Sequence, residues 1–155
     1  MSGNAPEIAL PQLPQARVAI ISSSWHLDIC NDLIAGAQKA LAAAAITDVS
    51  VSYVPGSFEL PLAAQLAFEK GFDAVVAVGL VLEGQTPHFD YVCQGVTQGI
   101  MEVSLKFSAP IGFGVLMCNT LDQAIARSGR PGSSEDKGYD SAIAAIELLH
   151  LRNKN

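Results

Sequence analysis

Two periods of hydrophobic residues alternate along the chain. Ala74-Val-Val-Ala-Val78 is short, wholly apolar and β-branched, which suits a strand buried on both faces of a parallel sheet. Eleven residues on, Phe89, Val92, Val96, Ile100, Val103 and Phe107 recur at steps of three or four, the mark of a long amphipathic helix. Thr86-Pro87 precedes this stripe as an N-cap residue with proline at the first helical position, so the helix is predicted over 87–108.

The same alternation runs through the rest of the chain. Arg17 to Ser22 reads as the first strand, and Ile29, Leu33, Ile34, Ala37, Leu41 and Ala44 stripe a helix that starts near Leu27. Val49 to Val54 reads as a second strand, and Ser57 as the N-cap of a helix with Pro61 in its first turn, ending near Lys70. After the pair already described come a strand over 111–117 and Thr120-Leu-Asp-Gln123, a capping box that opens a short helix to about Ser128. A loop over 129–136 precedes a last helix over 139–151. Residues 1–16 carry Pro6, Pro11 and Pro14 and are read as an arm or an edge strand, residues 17–151 as one domain, and 152–155 as a polar tail. Connections too long for hairpins make right-handed crossovers, so the expected fold is a three-layer α/β sandwich around a four-stranded parallel sheet.

Composition narrows the partners. Only 15% of residues are charged and half are apolar, so some apolar surface is expected to meet another subunit. A net charge of −6 disfavours nucleic acid and anionic membranes, both of which call for a basic face. The start lacks the pattern of a signal peptide, no apolar run is long enough to span a bilayer, and Cys30, Cys93 and Cys118 show no CxxC spacing. A cytoplasmic protein with reduced thiols and a small-molecule partner is the expectation.

In such folds ligands sit beyond the carboxyl ends of the strands, so the four strand exits frame the candidate chemistry. Glu83-Gly84-Gln85-Thr86 leads into a helix start, where free N–H groups and the dipole favour an anion. His88 follows at once, with the side chain best able to move protons near neutral pH. Trp25 at the first exit is either a stacking plane or a packing residue, and Ser57-Phe58-Glu59 at the second is either a polyol grip or a plain helix cap. Arg127 and Lys137 flank the long loop as a pair that could simply be solvated. The three histidines are too scattered for a metal site, and Gly84-Gln85-Thr86 is not a Walker loop.

Taken together, Gly84-Gln-Thr-Pro-His-Phe-Asp-Tyr-Val92, Gly56-Ser-Phe-Glu59, Gly112-Phe-Gly-Val-Leu116, Asp122-Gln-Ala-Ile-Ala-Arg127 and Asp136-Lys-Gly138 resemble the lumazine synthase family over roughly residues 15–150. The resemblance implies a flavodoxin-like fold and the cofactor-free, metal-free condensation of 5-amino-6-(D-ribitylamino)uracil with 3,4-dihydroxy-2-butanone 4-phosphate. The products would be 6,7-dimethyl-8-ribityllumazine, phosphate and water. It further implies that Trp25 stacks on the pyrimidine, that Ser57, Phe58 and Glu59 form the ribityl subsite, and that the main chain at Val81 and Leu82 meets the uracil edge. Gln85, Thr86 and Arg127 would bind phosphate, and His88 would act as general acid and base. Phe113, Arg127 and Lys137 would come from a neighbouring subunit of a homo-oligomer, a pentamer or a decamer paired from two. Glu83 stands where the family usually has a basic residue; it would either face the ligand or alter subunit contacts. The loop 129–137 is longer than in forms that build icosahedral shells. The rival reading on this scaffold is a non-enzymatic carrier of flavin or lumazine, stacking on Trp25 and Phe113.

Overall fold

The computed structural model describes residues 9–154. Four strands alternate with five α-helices: β1 (Arg17–Ser23), α1 (Leu27–Ala43), β2 (Asp48–Val54), α2 (Leu60–Glu69), β3 (Ala74–Leu82), α3 (His88–Phe107), β4 (Ile111–Cys118), α4 (Leu121–Arg127) and α5 (Lys137–Asn153). All strand pairs are parallel, in the order β2-β1-β3-β4. This is the flavodoxin-like α/β sandwich.

Successive side chains of β1 and β3 point to opposite faces, so each strand feeds two cores. Val18, Ile20, Val76 and Val78 pack with Leu33, Ala37 and Leu41 of α1 and Ile146 and Leu149 of α5. On the other face Ala19, Ile21, Val75 and Ala77 pack with Leu60 and Ala64 of α2 and Val96 and Ile100 of α3. Burying each large aliphatic side chain contributes about 1.5–3 kcal/mol, so these two strands anchor the fold. α1 and α5 approach closely at Gly138, where a Cβ would collide with the carbonyl of Leu33.

Helix starts depart from expectation in three places. Ser57 does not cap α2: it opens a single 3₁₀ turn, Ser57–Glu59, with Gly56 in the cap position, and the α-helix begins at Leu60. Thr86 is not the N-cap of α3 either. Pro87 holds that place with helical φ and ψ of −66° and −1°, and the Thr86 hydroxyl accepts only a long 3.4 Å bond from the His88 N–H. The last helix begins two residues before the expected Tyr139, because the Asp136 carboxylate accepts from the Tyr139 N–H at 2.9 Å and caps it.

Residues 9–16 take the form of an arm rather than a strand. Proline cannot donate to a ladder, and the arm is tied instead to the end of α1, where the Leu13 N–H donates to the Ala44 carbonyl at 2.8 Å. Residues 1–8 of the expected arm lie outside the described residues. Cys30 and Cys118 are buried free thiols and Cys93 is half-buried. Leu62, Leu66, Met101 and Leu105 on α2 and α3 are exposed, the apolar surface that the low charged fraction had led us to expect. Among the described residues no helix is long and apolar enough to cross a membrane.

Candidate active site

The chain passes from β1 to β2 on one side and then returns to place β3 on the other, so a crevice opens between β1 and β3 at their carboxyl ends. The two strands end at different heights. β1 pairs with β3 only as far as Ser22 opposite Val78, whereas β3 continues to Leu82 alongside β4. Past Val78, β3 therefore has an edge without a β1 partner, and Val81 and Leu82 at its end are only half-buried. This edge borders a cleft of about 680 Å³ lined by residues that include Trp25, Ser57, Phe58, Glu59, Val81, Leu82 and His88.

Each wall has a local cause. Trp25 leaves β1 with its ring two-thirds exposed, while its carbonyl accepts a hydrogen bond from the Cys30 thiol at 3.2 Å. Burial pushes the Cys30 thiol up, so it stays protonated at neutral pH and remains a donor. His26 follows in the left-handed region, φ 54° and ψ 64°, turning the chain sharply into α1. Opposite, Gly56 lets two groups converge: a Cβ there would lie 3.3 Å from the Glu59 Oε2 and 3.5 Å from the Trp25 Nε1.

The floor is polar and under-satisfied. Ser57 is buried and its Oγ has no hydrogen-bond partner within the described chain, an arrangement that costs about 1–3 kcal/mol. Gly79 makes room for it, because a Cβ on Gly79 would approach the Ser57 Oγ to 2.9 Å. Phe58 lies at the rim, its ring edge seated over Gly95 of α3. His88 opens α3 and is exposed on the cleft wall, with Gln85 and Thr86 in the exposed turn just before it.

Seven of the predicted site residues thus line one cleft, and two more sit at its mouth in sequence. Phe113, Arg127 and Lys137 do not line it. Phe113 lies opposite Ala77 on the edge strand β4 and is 42% exposed. Arg127 ends α4, donating from Nη1 to the Gln123 carbonyl at 2.9 Å and pairing through Nε with Glu135 at 3.5 Å. Lys137 opens α5 and pairs with Glu135 at 3.1 Å and Asp140 at 3.8 Å.

The Glu83 carboxylate is exposed, accepts a hydrogen bond from the Asn119 Nδ2 at the exit of β4, and does not line the cleft. Sequence reasoning missed His26, Tyr91 and Val92 as lining residues. The last two were within reach, since they stand one helical turn from His88.

Among the described residues no group of three or more His, Cys, Asp or Glu side chains is placed to hold a metal ion. The cleft offers stacking surface, backbone groups, a buried hydroxyl, a carboxylate and two imidazoles, His26 and His88, each at a helix start.

Known proteins resemble the chain over nearly its whole length. The family model described as 6,7-dimethyl-8-ribityllumazine synthase matches residues 15–153. A protein of that name from Streptomyces coelicolor is 50% identical over 147 residues, covering 94% of this chain and 91% of its own. Another, from Mycolicibacterium vanbaalenii, is 48% identical over 154 residues, covering 96% of this chain and 98% of its own. Matched by the family model from residue 15 to residue 153 and half identical to curated relatives, the chain belongs to the 6,7-dimethyl-8-ribityllumazine synthase family.

Proposed function

We propose that the chain condenses 5-amino-6-(D-ribitylamino)uracil with 3,4-dihydroxy-2-butanone 4-phosphate to 6,7-dimethyl-8-ribityllumazine and phosphate, the penultimate step of riboflavin biosynthesis. The reading rests on one observation above the others: β3 outruns β1 beside a cleft that joins an aromatic plane, a buried hydroxyl and an imidazole.

A pyrimidine stacked on Trp25 lays its carbonyl and N–H edge against the main chain at the end of β3, at Val81 and Leu82. The ribityl chain runs toward Ser57, Phe58 and Glu59, where the unpartnered hydroxyl and the carboxylate meet its alcohols. Backbone N–H groups at Gln85 and Thr86, together with the start of α3, receive the phosphate of the ketose. His88 stands between these two subsites.

The pyrimidine amine attacks the ketone carbonyl, and loss of water gives an imine. Proton removal next to the imine expels phosphate and leaves an enol, whose terminal carbon takes up a proton to give a methyl ketone, and the ribitylamino nitrogen closes on that carbonyl with loss of a second water. His88 moves the protons, which is worth about 10²- to 10⁴-fold. Holding two reactants in contact supplies roughly 7–11 kcal/mol at best.

Three roles fall to groups outside the cleft. Phe113, Arg127 and Lys137 of an adjacent copy complete the site: Phe113 closes over the ring, Arg127 presents a planar fork to the phosphate and Lys137 meets a pyrimidine carbonyl. The assembly is a homopentamer, alone or paired as a decamer. Exposed Leu62, Leu66, Met101 and Leu105 on α2 and α3 supply apolar surface for subunit contacts.

Purified protein given both substrates should develop the lumazine chromophore. Trp25→Ala and Arg127→Ala should each be nearly inactive alone, and dissociating, mixing and reassembling them should restore about a quarter of wild-type sites by random pairing of halves. Failure of the mixture to recover activity would remove the shared site. Light scattering should give the mass of a pentamer or decamer, and the mass of an icosahedral shell would overturn that assignment.

A further inference from the structure

The two cations assigned above to a neighbour's site share one counter-ion. Glu135 splits its carboxylate between them, Oε2 lying 3.5 Å from the Arg127 Nε and Oε1 lying 3.1 Å from the Lys137 Nζ. The side chain is about three-quarters buried, at 26% exposure, so solvent screens these contacts only in part.

Glu135 is also held in place by its backbone. Its N–H donates to the Ala126 carbonyl at 3.0 Å, and its carbonyl accepts from the Gly129 N–H at 3.0 Å. Ser128 and Asp136 form an isolated antiparallel bridge beside it, and the Ser133 and Ser134 hydroxyls donate to the Ile125 and Ala126 carbonyls at 2.6 and 3.1 Å. The loop is thus fastened to α4, and the carboxylate cannot move far from the two cations.

A fixed carboxylate between two cations has a chemical consequence. The Glu135 carboxylate offsets part of the positive charge of this pair, and its Oε2 already stands against the Arg127 guanidinium that a phosphate would use. Among the described residues, Glu135 is the only acid paired with Arg127, whereas Lys137 has Asp140 as a second partner at 3.8 Å.

We propose that Glu135 is a built-in competitor for the anion site. Substrate phosphate must displace its carboxylate from Arg127, so the affinity of the site for phosphate is held down and the released inorganic phosphate departs readily. The proposal rests on the assignment of Arg127 to phosphate made above. Glu135 itself touches no substrate; it acts through Arg127 and Lys137.

Inhibition of the intact oligomer by inorganic phosphate, measured at constant ionic strength, tests this directly. Glu135→Gln keeps the shape and removes the charge, and should lower the half-inhibitory phosphate concentration about three- to tenfold. Glu135→Asp, too short to span both cations, should give a smaller shift in the same direction. Arg127→Ala, too slow for an inhibition assay, should bind inorganic phosphate more weakly by calorimetry, and adding Glu135→Gln to it should restore little or nothing. A merely structural role cannot produce the gain in phosphate affinity, since a loosened loop binds less well. Unchanged or weakened phosphate inhibition in both Glu135 variants would overturn the proposal while leaving the role of Arg127 intact. Unchanged calorimetric binding of phosphate to Arg127→Ala would instead remove the reading on which it rests.

Discussion

The cleft between β1 and β3 and the cationic strip from Arg127 to Lys137 are made in opposite ways. The cleft is a product of topology: strand exits meet where the connections reverse direction, and backbone groups stay open because one strand stops before its neighbour. Its side chains are neutral or acidic apart from two imidazoles, and its floor holds a hydroxyl without a partner. The strip is a product of charge. Arg127, Glu135 and Lys137 pair with one another within the chain. One region has unmet needs and the other has them met provisionally, which is the pattern expected of two halves that function only against each other.

Removing His88 is the sharpest way to test the cleft half. His88→Ala should slow turnover at saturating substrates by about 10²- to 10⁴-fold without abolishing it, because positioning survives the loss of the proton shuttle. Unaltered turnover would take His88 out of the mechanism. A gentler strike at the same half is Gly79→Ala. The added methyl would sit 2.5 Å from the Ser23 Oγ and 2.9 Å from the Ser57 Oγ, so it should destabilise the fold by roughly 1–3 kcal/mol and raise KM for the pyrimidine more than for the ketose phosphate. Equal effects on both Michaelis constants would mean that Ser57 does not serve the ribityl side.

The strip half should respond more weakly. Arg130 anchors the loop 129–136 to α1 through Asp32 at 2.7 Å and Asp28 at 3.2 Å. Arg130→Ala should speed protease nicking in that loop while leaving a tightly folded core, and an unchanged cleavage rate would show that the ion pairs do not hold it. The hydrogen bond from Arg130 keeps the Asp28 carboxyl below its usual range. A depressed carboxyl lends its support above the unfolded value and loses it as pH falls through the folded one, so wild-type nicking should rise toward that of the variant only below about pH 4.

Much of this was legible from residue patterns, and the misses share a cause. β1 and β3 announce themselves as apolar runs because both faces are buried, and the rule that ligands bind beyond strand ends brought Trp25, Ser57, Glu59 and His88 to one place. Helix starts were harder. Ser57 looks like a cap, yet its hydroxyl is turned into the cleft floor and a 3₁₀ turn replaces the first helical turn. Asp136 is the true cap of α5, and reading it as such would have placed Lys137 at the first helical position beside Glu135. Phe113, Arg127 and Lys137 were assigned only by family likeness, since no local pattern says that a side chain works on another copy. The side-chain pairing of Glu83 with Asn119 spans 36 positions of chain and has no sequence signal at all.

The unequal ends of β1 and β3 also bear on how the site can change over time. In the proposed pose, the ring edge at Val81 and Leu82 meets the main chain, which every amino acid except proline supplies in full. Short of a change to proline, codon changes at these two positions alter bulk without deleting a donor or an acceptor. A small-molecule inhibitor that anchors on this strand edge would therefore leave the organism few single-step routes to resistance there.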